Sequence, residues 1–105
     1  MPNDNRRLLL EINNAVAEVN RRTINPVLQQ LNLEQLKPVI EMVAQSRADY
    51  LQCFFGLTNQ EKKDASDQSH IKRLAGLRLR YEELLKAMQA LETAIEREYI
   101  DVSRK

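Results

Sequence analysis

Leu74, Tyr81, Met88, Ile95 and Val102 recur every seven residues, and Leu77, Leu84 and Leu91 stand three residues after the first three of them. An a/d pattern held for about four repeats commits this stretch to a long helix whose apolar seam lies against another helix. The glycine content fits the same class. Sandwiches, barrels and nucleotide-binding loops spend glycine on tight turns, and this chain has two glycines in 105 residues. Hydrophobic side chains make up 43% of the chain and charged ones 30%, at a net charge of +1. Disordered chains pair low hydrophobicity with high net charge, so a folded chain is expected. The sequence predicts an all-α fold: a small helical bundle in one domain over residues 1–105, with a long C-terminal amphipathic helix carrying heptads.

Capping and breaking residues place the helices. Asn3 and Asp4 are good N-caps, and Leu8, Ile12, Ala15, Val16 and Val19 then recur at steps of three and four, so a first helix is expected near 4–22. Asn25-Pro26 places proline at a first helical position and suggests a short helix over 26–32. Asn32 with Gln35 three residues on is a further start signal, but Pro38 would fall inside that helix, where it removes a hydrogen bond. The second long helix is therefore expected near 37–56, antiparallel to the first and ended by Gly56 in a left-handed conformation. Residues 58–68 hold Ala65 as their one apolar side chain and read as a polar connector, although Thr58 and Glu61 are spaced as a capping box. The last helix is expected near 69–101.

That helix poses the question of partners. Over residues 70–100 it measures roughly 46 Å, against a diameter of about 34 Å for a compact chain of this size. Its seam serves either as the inner seam of a bundle or as a surface for self-association. The charges favour the second. Lys72, Arg73, Arg78 and Arg80 occupy 70–80 without an acid, whereas 82–101 holds six acids against Lys86 and Arg97. Two copies laid antiparallel bring each basic half beside an acidic half, which sets orientation more than affinity. A homodimer is expected, with Leu74, Leu77, Tyr81, Leu84, Met88, Leu91 and Ile95 at the interface.

Catalytic constellations are hard to assemble from these residues. A single histidine, His70, and a single cysteine, Cys53, cannot make a zinc site of several such ligands, and Glu92, Glu96 and Glu98 have no matching carboxylate set on an earlier helix. Cys53 lies among Tyr50, Phe54 and Phe55, an apolar setting that suits packing better than nucleophilic work. No phosphate loop or nucleophile elbow is present. No enzyme, metal or cofactor is expected. Two other patches are candidates for contact: the aromatic cluster Tyr50, Phe54 and Phe55 for a protein partner, and Lys72, Arg73, Arg78 and Arg80 for phosphates.

The apolar run Leu8–Leu10 stops at Glu11, short of a signal-peptide core, and no stretch reaches the roughly 18 apolar residues of a membrane span. A lone cysteine builds no internal disulfide, so a cytoplasmic location without membrane contact is expected. The function expected is a non-catalytic protein–protein interaction module, such as a small adaptor, chaperone or regulatory subunit, that self-associates through its long C-terminal helix. The alternative is a nucleic-acid-binding regulator that uses the basic stretch 70–80.

Overall fold

A computed structural model describes residues 2–58 and 68–103. Within them the chain forms three helices and no strand: α1 over Pro2–Ile24, α2 over Leu33–Gly56 and α3 over Gln68–Glu96. It divides into two compact units, Met1–Gln35 with Leu91–Lys105, and Leu36–Ala90.

The second unit is a hairpin of α2 and α3. Tyr50 stacks on Tyr81 with ring centroids 6.3 Å apart, and the Arg47 Nε donates to the Tyr81 hydroxyl at 2.9 Å. Cys53 and Gly56 line one cleft with Leu77, Arg73 and His70, so the two helices run antiparallel. Val43 and Ser46 are buried on the side of α2 that carries Tyr50. Ser46 keeps its hydroxyl satisfied by donating to the Val43 carbonyl at 2.7 Å, which lets this small polar side chain be fully buried.

The first unit combines α1, the turn after it and the C-terminal segment. Leu31, Ala94, Tyr99 and Ile100 are its buried apolar residues. An isolated parallel bridge joins Leu31 to Val102: Leu31 N donates to the Asp101 carbonyl, and Ser103 N donates to the Leu31 carbonyl at 2.8 Å.

Several helix limits differ from the sequence expectation, each for an identifiable reason. Helix α1 is two residues longer at each end than 4–22. No helix forms over 26–32; residues 25–30 are turns, and the Asn25 side chain is engaged with Asp101 instead of capping a new helix. Helix α2 begins at Leu33, four residues before the expected start, with Pro38 inside it. The reciprocal capping box decides this: the Asn32 Oδ1 accepts from Gln35 N at 2.9 Å, and the Gln35 Oε1 accepts from Asn32 N at 3.1 Å. Two satisfied terminal donors outweigh the single bond that Pro38 cannot make.

Gly56 closes α2 without a left-handed conformation. Leu57 N and Thr58 N donate to the carbonyls of Phe54 and Phe55, three residues back, and the Thr58 hydroxyl also donates to the Phe55 carbonyl. Thr58 therefore ends α2; Glu61 and the rest of the connector, 59–67, lie outside the described residues.

Helix α3 stops at Glu96, five residues before the expected limit, so Val102 leaves the heptad series and joins the bridge to Leu31. The stop is a Schellman motif. Tyr99 N donates to the Ala94 carbonyl, Glu98 N donates to the Ile95 carbonyl, and Glu98 takes a φ of 62° where glycine is usual.

Candidate functional site

The seam of α3 is partly covered all along its length. Leu74, Leu77, Tyr81, Leu84, Met88, Leu91 and Ile95 are each half-buried. Tyr81 faces α2, where it stacks on Tyr50 and lies 5.2 Å below the Arg47 guanidinium. Part of the heptad stripe is thus used within the hairpin. The charged residues beside it point to solvent: Lys72, Arg73, Arg78 and Arg80 are exposed in the first half of α3, and Glu82, Glu83, Glu92 and Glu96 in the second. This order opposes what the helix dipole favours. The first turn carries no acid and the last turn no base, so the charge gradient adds to the backbone dipole.

The four basic residues do not share one face. Arg73 lines a cleft of 490 Å³ with Cys53, Gln52, Asp49 and His70, whereas Arg78 lines another of 210 Å³ with Tyr50, Ile71, Leu74 and Ala75. The two clefts flank opposite sides of the α2–α3 contact, because residues 73 and 78 are about 140° apart round the helix. The first cleft also brings together the one cysteine and the one histidine of the chain, 17 residues apart in sequence. Heptad phase and hairpin direction together could have indicated that meeting. Among the described residues, no three of His, Cys, Asp and Glu gather to hold a metal ion.

The aromatic cluster divides. Tyr50 is half-buried against Tyr81, whereas Phe54 and Phe55 are 53% and 65% exposed and meet edge to face at 5.7 Å. They cap a second apolar face of α2 made by Ile40, Ala44, Ala48, Leu51 and Phe55, all exposed and spaced three or four residues apart. It lies more than a quarter turn from the face that α3 covers.

In the first unit, a polar clasp ties the C-terminal segment to the end of α1. The Arg21 Nη2 donates to Asp101 Oδ1 at 2.6 Å, and its Nη1 donates to the Glu98 carbonyl at 2.8 Å. Asp101 N donates to Asn25 Oδ1, and Asn25 Nδ2 donates to Asp101 Oδ2. The hydrogen bond from Arg21 holds the Asp101 carboxyl below its ordinary value of 3.8. Desolvation opposes it, while the Arg21 charge and the Asn25 hydrogen bond reinforce it. Sequence reasoning did not find these residues. They are 76 to 80 positions apart, and no periodicity links them.

The clasp and the cleft of 680 Å³ around it use the side of α1 bearing Ala17, Glu18 and Arg21. Ala17 is half a turn round from Leu8. The expected apolar face of α1 therefore lies on the other side: Leu8 is 57% exposed, and Ile12, Val16 and Val19 are each 46% exposed.

Among the described residues, no helix is long and apolar enough to cross a membrane. No family model matches the chain, and neither a curated protein nor a solved structure matches it.

Proposed function

We propose that this chain is a non-catalytic protein–protein interaction module of the cytoplasm, an adaptor, chaperone or regulatory subunit that self-associates with the α3 helices of two copies antiparallel. The carrying observation is the exposed charge gradient of α3, basic over 72–80 and acidic over 82–96 apart from Lys86. Alone, that gradient reinforces its own helix dipole, which is unfavourable. A second α3 running the opposite way cancels both the dipole and the gradient. Within the hairpin, the half of α2 beside the basic stretch offers little compensation, since Arg47 and Asp49 are its two charges. The seam from Leu74 to Ile95, half-covered in one chain, supplies the remaining apolar contact.

Light scattering at tens of micromolar should give twice the chain mass. Reversing Lys72→Glu with Arg73→Glu in one sample, and Glu92→Lys with Glu96→Lys in another, should shift each sample toward monomer. An equimolar mixture of the two should restore the dimer. A wild-type monomer at that concentration, or mass unaffected by either reversal, overturns the assignment. A mobility shift with nucleic acid that weakens steeply with salt and is lost in Lys72→Glu/Arg73→Glu would replace it with the phosphate-binding alternative.

A further inference from the structure

Helix α1 has its own heptad phase, and its residues 3–19 are exposed all round. Asn5, Ile12 and Val19 take the a positions, Leu8, Ala15 and Arg22 the d positions, and Leu9, Val16 and Thr23 the flanking e positions. All of these are exposed, while the C-terminal segment is held on the opposite side, at Ala17 and Arg21. The other flank is a column of carboxylates at seven-residue spacing, Asp4, Glu11 and Glu18, at the g positions. Beyond the self-association of α3, and independently of it, we propose that α1 is a second self-association surface, which pairs parallel and in register with α1 of another copy.

Three features of the face select that occupant and that direction. β-Branched residues at a with leucine at d favour a parallel two-stranded pair, and Ile12, Val19 and Leu8 supply them. An asparagine at one a position fixes register and oligomer size, as Asn5 can do against its own copy. The acids exclude the reverse direction. Antiparallel helices bring g against g, which would stack Asp4, Glu11 and Glu18 on the same column. Parallel helices bring g against e, where Leu9, Val16 and Thr23 carry no charge.

Single cysteines test both the contact and its direction. On a Cys53→Ser background, Ile12→Cys and Val19→Cys should each oxidise to a disulfide-linked dimer, whereas Asn13→Cys, on the outer side of α1, should link at least tenfold less. When Leu8→Cys and Val19→Cys chains are mixed, mass spectrometry should find each linked to its own kind. Circular dichroism confirms that the variants keep their helices. Linking of Ile12→Cys no greater than that of Asn13→Cys overturns the proposal, as does a dominant Leu8→Cys to Val19→Cys product. Adding Lys72→Glu and Arg73→Glu should leave the Ile12→Cys yield unchanged, which separates this surface from the pairing of α3; a yield that falls with those charges overturns it as an independent surface.

Discussion

The hairpin of α2 and α3 and the unit around the C-terminal segment are held by different chemistry. In the hairpin, two amphipathic helices share a contact that includes Tyr50 and Tyr81, with Val43 and Ser46 buried on the same side of α2, and a long-range polar contact, Arg47 to Tyr81, rides on that packing. In the other unit, the buried residues Leu31, Ala94, Tyr99 and Ile100 come from a turn, a helix end and an irregular segment. Their positions are fixed by backbone bonds and by the Arg21–Asp101–Asn25 clasp. Helix-on-helix contacts spread stability over many half-buried side chains. A unit closed by a short tail concentrates it in a few.

That contrast gives its largest expected effect at Ile100, which is 3% exposed. Ile100→Ala should cost about 2–5 kcal/mol in urea denaturation, because the tail has few side chains to fill the space. A loss no larger than that of Leu84→Ala, on the half-buried seam, would erase the difference between the units. In the hairpin unit the next effect has the opposite sign. Gly76 lies inside α3 with open space where a Cβ would stand, so Gly76→Ala should raise stability by about 1 kcal/mol in the same assay. Tyr81→Phe keeps the ring stack on Tyr50 and removes the acceptor of the Arg47 hydrogen bond, so a loss of about 0.5–1.5 kcal/mol is expected. A loss as large as that of Ile100→Ala would mean that polar contacts govern the hairpin too.

The smallest effect belongs to the clasp and depends on pH. The folded state holds the Asp101 carboxyl below its ordinary value of 3.8, so the stabilisation is complete above that value and fades as pH falls through the lower folded value. Amide exchange at Leu31 and Ser103, whose N–H groups bond across the bridge, should quicken over that acid range while the hairpin amides keep their protection. Asp101→Asn should flatten the dependence. An unchanged acid profile in that variant would remove the clasp from the account.

The residues show what was legible in advance and why. The period of seven from Leu74 announced α3, because a helix packed along one side repeats its apolar contacts at that interval. The apolar faces of α1 and α2 were legible in the same way, and so was the Asn32–Gln35 pair, whose effect is local. Pro38 removes one hydrogen bond inside α2, and that local box outweighs the loss. The missing helix after Asn25 was not legible, because the distant Asp101 engages that side chain, nor was the end of α3 at Glu96, because glutamate stands where glycine is usual.

The sequence by itself determined that this protein is all-α, which sides of its helices are apolar, and that α3 carries opposed charges along its length. These follow from propensity and period, which act within a few residues. Only the tertiary structure decided which apolar side is covered. It turns α1 to the C-terminal segment by Ala17 and Arg21, and leaves Leu8, Ile12, Val16 and Val19 outside. Hydrophobic periodicity cannot make that choice, because the clasp that fixes it is made of polar groups 76 to 80 residues apart, and their geometry exists only once the chain has folded.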